Sequence, residues 1–221
     1  MTAGENMKKN ASAGLRIAAA LFFVVTSSAS ATTTDYGAKI DMKYDRGARE
    51  TFALEPYRST CPVHIVLTED ARQNKETIGQ SGSGALLAGG VSRWVADGLG
   101  ALKDYGYVVD ETKSLEPPAT GITVKTSLTR AYTWHLSVKI FSMVALKAQF
   151  IDRNGVLQEK YYRAHGDKSN MWGADSEYVT TLNYGLNNLL PAVARDLQSL
   201  CKGQKVESYT YSGPEEIVNR K

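Results

Sequence analysis

Apolar and polar residues alternate with period two along several stretches of the chain, and this pattern predicts strands. Val63, Ile65 and Leu67 alternate with His64, Val66 and Thr68 behind Pro62, the first well-formed strand. Upstream, Ile40, Met42 and Tyr44 alternate with Asp41, Lys43 and Asp45, a short edge strand in an otherwise extended segment, 32–60. Residues 107–110 (YVVD) predict another short strand, and Ile122, Val124, Thr126 and Leu128 share one face of a longer one. The run from Trp134 to Asp152 reads as a single long strand. Asn154-Gly155 then predicts a hairpin turn, with VLQEKYYRAHG returning antiparallel.

Two stretches carry the helical period instead. Val91, Trp94, Val95, Leu99, Leu102 and Tyr105 fall on one face, with Ser92 as N-cap and Gly106 as C-cap. Gly98 and Gly100 inside it each cost about 1 kcal/mol against alanine and offer close packing on a sheet. Tyr178, Leu182, Leu186, Leu189, Val193, Leu197 and Leu200 form the apolar face of a second helix. Asp175 caps it, Pro191 kinks it and Gly203 ends it. Residues 204–221 read as a loose tail. The order predicts an α/β two-layer sandwich over residues 61–203: a mostly antiparallel sheet of about five strands packed by two main helices.

The N-terminus changes the picture of where this domain works. Lys8, Lys9 and Arg16 precede an apolar run from Ile17 to Val25, followed by Ala29-Ser30-Ala31. That is the pattern of a secretory signal peptide over residues 1–31, and the run is shorter than the ~20 residues of a typical membrane span. Cleavage near Ala31 removes Lys8, Lys9, Arg16 and Glu5 from a chain of 26 basic and 23 acidic residues, leaving it nearly neutral. A soluble protein of the bacterial periplasm is expected. No lipobox cysteine stands at the expected cleavage site. Two cysteines occur, Cys61 and Cys201, and an oxidising compartment predicts a disulfide between them, with two separate buried thiols as the alternative. No CxxC spacing points to redox catalysis or structural zinc.

Candidate chemistry narrows the function by what it lacks. IGQSGSGALLAGG, residues 78–90, is uncharged and glycine-rich. Gly84 and Gly89 have the spacing of a phosphate-binding loop, but no lysine follows, and Gly82 and Gly84 do not directly follow a strand as a dinucleotide fingerprint requires. A mobile connection is expected, with Ile78, Gly79, Gly82, Gly84, Leu86 and Leu87 as a candidate partner- or ligand-binding loop. His64, His135 and His165 lack metal-ligand spacing, so neither a metal nor a cofactor is expected, and no serine-nucleophile motif is present. Tyr132, Trp134, Tyr162 and Trp172 line a candidate aromatic groove or else fill the core beneath the helices. Near-neutral charge argues against nucleic acid.

Asp70-Ala71-Arg72, Ile78-Gly79 and Gly106-Tyr107-Val108, set in this element order from Cys61 to Leu200, resemble the YajG-like envelope lipoproteins and the broader group of ABC-type transport auxiliary proteins. The resemblance implies a compact α/β domain exported to the cell envelope, without a catalytic set to carry over. Ala29-Ser30-Ala31 in place of a lipobox departs from that family. The expected function is that of a non-enzymatic periplasmic accessory or adaptor protein that binds an envelope protein or assembly. The alternative is a binder of lipid or another apolar ligand, held between helices and sheet behind the glycine stretch.

Overall fold

The computed structural model describes residues 37–48, 59–81, 84–155, 157–170 and 174–212. The expected signal segment, Gly82, Trp172 and residues 213–221 lie outside the described residues. One mixed sheet of ten strands carries two α-helices on one of its faces. The elements are β1 (Gly37–Asp41), β2 (Pro62–Val66), β3 (Glu69–Asp70), β4 (Thr77–Ser81), β5 (Gly84–Gly89), α1 (Val91–Gly100), β6 (Val108–Thr112), β7 (Ile122–Leu136), β8 (Lys139–Ile151), β9 (Leu157–Ser169), α2 (Asp175–Cys201) and β10 (Tyr209–Ser212). A 3-10 turn, Ala101–Tyr105, extends α1 and ends at Gly106 in the left-handed conformation, as expected of that C-cap.

The sheet is larger than the five strands read from the pattern, and it mixes parallel with antiparallel pairing. Its longest ladders, β7–β8 and β8–β9, are antiparallel. Around them β2, β3 and β4 follow one another along β7 in parallel, β6 pairs parallel with β2, β1 with β5, and β10 with β9. Beyond the five, the sheet gains β1, β3, β4, β5 and β10, and one hairpin turn lies inside a run that reads as a single strand. The stretch from Trp134 to Asp152 holds a tight turn at Ser137-Val138, where Leu136 pairs with Lys139 and Ser137 takes φ 55°; Ser-Val lacks the glycine, asparagine or aspartate that marks a two-residue hairpin in sequence. Within the glycine stretch, β4 and β5 are paired strands, not a mobile connection. Residues 209–212 of the expected tail add a parallel edge strand.

Alternation explains how the sheet acquires two unlike faces. Along β8, Ile140, Ser142, Val144, Leu146, Ala148 and Phe150 are buried, and the residues between them are half-buried. The inner set packs beneath α2 through Leu182, Leu186, Leu189, Val193 and Leu197. Between Leu128 and Arg130 a bulge shifts the register of β7, so its inward parity changes from Leu128 to Ala131 and Thr133. Trp94 of α1 is fully buried and donates its indole N–H to Asn183 of α2 at 2.8 Å. Asn183 and Asn187 also bind residues 43–48: Asp45 N–H donates to Asn183 Oδ1 at 3.1 Å, and the two amides donate to Lys43, Asp45 and Ala48 carbonyls.

Helix ends depart from expectation in detail. Gly90, not Ser92, takes the N-cap position of α1, and Ala174, with no side-chain cap, precedes Asp175 at the start of α2. Helix α2 continues through Pro191. Gly98 makes its close approach to Leu186 of α2 rather than to the sheet, and Gly100 faces open space. Cys61, just before β2, is disulfide-bonded to Cys201 at the end of α2, 140 residues away in sequence.

Candidate functional site

The helices leave the other face of β7, β8, β9 and β10 uncovered by any described element, and aromatic side chains converge there. The register aligns Tyr132, Met143 and His165 across three strands, and places Trp134 beside Phe141. Tyr132 and Trp134 lie two residues apart on β7, with ring centroids 6.4 Å apart and planes within 19°. Trp134 and Phe141 continue at 5.7 Å and 16°. Edge-on contacts then carry the row across the sheet, from Trp134 to His165 at 6.0 Å and from His165 to Tyr211 at 5.4 Å. His165 Nδ1 and the Tyr211 hydroxyl are 2.9 Å apart. Tyr209 and Tyr211 of β10 pair with Tyr161 and Arg163 of β9 and widen this surface. At its end Leu136 and Val138 stand about two-thirds exposed at the β7–β8 turn.

Charge borders the aromatic row without neutralising it. The Arg163 guanidinium sits 5.7 Å from the Tyr211 ring centre, and Lys147 Nζ 5.7 Å from that of Tyr161. Lys147 Nζ lies 2.8 Å from Glu159, and Lys139 Nζ lies 2.7 Å from Asp167. The hydrogen bond from Lys147 holds the Glu159 carboxyl below its ordinary range, and the same bond raises the lysine. Burial, and then the charge of Arg163, push the His165 imidazole below the ordinary histidine value. The row therefore presents a neutral ring at physiological pH.

The aromatic residues named from sequence do not form one groove. Tyr132 and Trp134 share the open face. Tyr162 is 1% exposed on the opposite face, where its hydroxyl donates to Asp196 at 2.7 Å. Parity separates them: Leu146, the β8 partner of Tyr162, points inward, whereas Met143, the partner of Tyr132, points outward. Phe141, Tyr161, His165, Tyr209 and Tyr211 belong to the surface and were not expected there. The signal was the β9 set Tyr161, Arg163 and His165 at odd positions. It was hidden because the inward set contains Lys160, which is 2% exposed and bound to Asp196.

The glycine-stretch residues are equally divided. Ile78 and Leu86 are fully buried core residues, and Gly79, at φ 142°, lies against Thr133 so closely that a Cβ would fall 2.2 Å from its hydroxyl oxygen. These three cannot serve as a docking loop. Gly84 and Leu87 are half-buried strand residues. Between the helices and the central strands, Trp94, Leu99, Val144 and Leu186 pack at 0–1% exposure.

Catalytic arrangements are not assembled by the histidines. His64 contacts Asp110 at 2.6 Å and the Thr120 carbonyl at 2.9 Å, so both ring nitrogens face acceptors. Among the described residues no histidine hydrogen-bonds a serine, threonine or cysteine side chain, and no three His, Cys, Asp or Glu side chains converge as a metal site. No described helix is long and apolar enough to cross a membrane.

The sequence matches no protein-family model, and no curated protein is significantly similar to it. Among solved structures it is similar to a protein of a family of unknown function from Xanthomonas campestris, at 6% identity and TM-score 0.45, covering 72% of this chain and 91% of that one. It is also similar to a minor lipoprotein from Acinetobacter baumannii, at 9% identity and TM-score 0.38, covering 66% and 94%. A lipoprotein from Neisseria meningitidis aligns at 13% identity and TM-score 0.34, covering 61% and 96%. Likenesses this distant carry no conclusion about function.

Proposed function

We propose that this chain is a non-enzymatic accessory protein of the bacterial cell envelope that binds another envelope protein through the open aromatic face of its sheet. The observation that carries the reading is the row Tyr132–Trp134–Phe141–His165–Tyr211, held on long paired strands and uncovered by either helix. Rigid aromatic side chains bury large area for little lost rotamer freedom, and Tyr, Trp, Phe, Met and Arg are the residue types enriched where proteins meet. Arg163, Met143 and Tyr161 complete that composition. The acids Glu159 and Asp167, set among the bases, disfavour a nucleic-acid backbone.

Export is supported by the signal-peptide pattern of residues 1–31 and by the Cys61–Cys201 disulfide, which suits an oxidising compartment. The YajG-like resemblance of Asp70-Ala71-Arg72 and Gly106-Tyr107-Val108 agrees with an envelope role. Arg72 is a structural residue, donating to Asp70 and to the Lys75 and Thr77 carbonyls and so fixing the loop between β3 and β4.

The test is photo-crosslinking in living cells, with the reactive side chain placed at Tyr161, at Tyr209 or, as a control off the face, at Lys103. One discrete protein adduct at the two face positions, lost on Trp134→Ala, is the expected result. Adducts equally strong at Lys103, or none at the face, overturn the reading.

A further inference from the structure

The strand neighbouring β7 is interrupted. Asp70 of β3 pairs with Leu128, but the next partner on that edge is Gly79 of β4, opposite Thr133. Between these points the chain leaves the sheet as the loop 71–76, and β7 has its bulge at the same level. The gap is a cavity of about 280 Å³ lined by Arg72, Gln73, Asn74, Thr77, Arg130 and Tyr132, among others. At ~30 Å³ per water that is room for about nine waters, the scale of one sugar ring.

Its walls differ in what they leave unused. Arg72 is 4% exposed and donates to Asp70 and to the Lys75 and Thr77 carbonyls, and Asn74 is bound to Thr77 and to the loop backbone, so one wall is fixed in shape. Thr129 turns its hydroxyl away to the Ala145 carbonyl at 3.0 Å. The Arg130, Gln73 and Tyr132 side chains are exposed to solvent, and among the described residues the guanidinium, the amide and the hydroxyl have no protein hydrogen-bond or ion-pair partner. A rigid frame thus presents one unpaired fork of cationic donors, one amide and one aromatic ring. A guanidinium matches a carboxylate in two parallel hydrogen bonds. A phenol ring covers the C–H face of a pyranose, and an amide serves its hydroxyls.

We infer that this gap in the sheet binds a carboxylate-bearing sugar ring, with Arg130 on the carboxylate, Tyr132 against the ring and Gln73 on the hydroxyls. The site lies at the edge of the aromatic face but does not depend on that face docking a protein. An adaptor with both sites would hold its protein partner at an acidic glycan.

Titration calorimetry of the purified chain with galacturonate, galactose and a short oligoglutamate tests the assignment. Saturable galacturonate binding is expected, about tenfold or more weaker in Arg130→Gln and in Tyr132→Ala, weakened by salt, and unchanged in Lys103→Ala. Galactose binds at least about tenfold more weakly than galacturonate. Both variant side chains are exposed, so circular dichroism is expected to match the wild type. No saturable galacturonate binding, equal binding by folded Arg130→Gln, or oligoglutamate binding as tightly as galacturonate overturns the site. Loss of protein crosslinking in Trp134→Ala with no sugar binding to any variant overturns this inference alone.

Discussion

Lys160 Nζ lies 2.6 Å from Asp196 Oδ2 beneath α2, with both side chains at least nine-tenths buried. Tyr162 donates to the same carboxylate oxygen at 2.7 Å, and burial, then the charge of Asp196, raise its phenol. A buried pair of this kind is destabilising to break, because one charge then stays in the interior alone. Asp196→Ala is expected to lower stability by about 3–5 kcal/mol. The double variant Lys160→Met, Asp196→Leu is expected to recover most of that loss. Urea unfolding of the three proteins measures both, and an Asp196→Ala midpoint equal to wild type contradicts the role of the pair.

Gly166 marks where α2 touches the sheet most closely. A Cβ there would lie 2.4 Å from the Thr181 carbonyl oxygen and 2.7 Å from the Gly185 nitrogen, both backbone atoms of α2. Neither can yield without moving the helix, so Gly166→Ala is expected to cost about 2–3 kcal/mol through overpacking. Gly100 ends α1 in a right-handed conformation with open space around it. Gly100→Ala is expected to be neutral or to stabilise by up to about 1 kcal/mol. Thermal unfolding of the two variants distinguishes them, and similar Tm values contradict the close approach.

Much of this arrangement was legible as pattern. The inward Val63 and Ile65 of β2, the inner face of β7 up to Leu128, the Asn154-Gly155 hairpin and the apolar face of α2 follow from periodicity and turn chemistry, and the cysteine pairing from two cysteines in an exported chain; Leu67, expected beside Val63 and Ile65, is exposed beyond the end of β2. What failed depends on register. The bulge at Thr129 reverses which residues of β7 face inward, and no local signal in LTRAYTW shows it. Lys160, a charge in an inward position, hides the alternation of β9 and with it the inward direction of Tyr162. Gly79 and Gly84 read as flexibility, yet Gly79 serves close contact with Thr133. Pairing partners distant in sequence, such as Ala85 with Gly37, set the strand order, and single-strand patterns do not encode them.

The His165 ring faces Trp134, Met143 and Tyr211 on neighbouring strands, with Arg163 on its own strand and the Lys139–Asp167 pair close in sequence and register. Its folded pKa lies below the ordinary 6.5, so the unfolded chain takes up the proton first as pH falls. Its contribution to stability is therefore full above pH 6.5 and is lost as pH falls from there toward the folded value. Glu159, Glu111 and Asp70, each lowered, act in a more acidic window. As pH falls below 6.5, the Tm of wild type is expected to fall more steeply than that of His165→Gln. Parallel curves in that range contradict the assignment.

The Cys61–Cys201 link closes a 140-residue separation between the start of β2 and the end of α2. Chain-entropy reasoning gives about 5 kcal/mol for a loop of that size, and removal of native disulfides typically costs about 2–5 kcal/mol. Reduction is expected to lower the urea midpoint accordingly while β7–β9 hold their pairing. A midpoint unaffected by reductant contradicts a stabilising role.

The central claim is that the aromatic face, rather than the glycine-rich hairpin or a helix–sheet cavity, meets the partner. The most direct measurement is the affinity of the crosslinked envelope protein, purified, for wild type and for Trp134→Ala. A loss of about tenfold or more is expected, as for an anchor at the centre of an interface, with Tm lowered by no more than about 5 °C. Equal affinity of the two proteins for that partner contradicts the account.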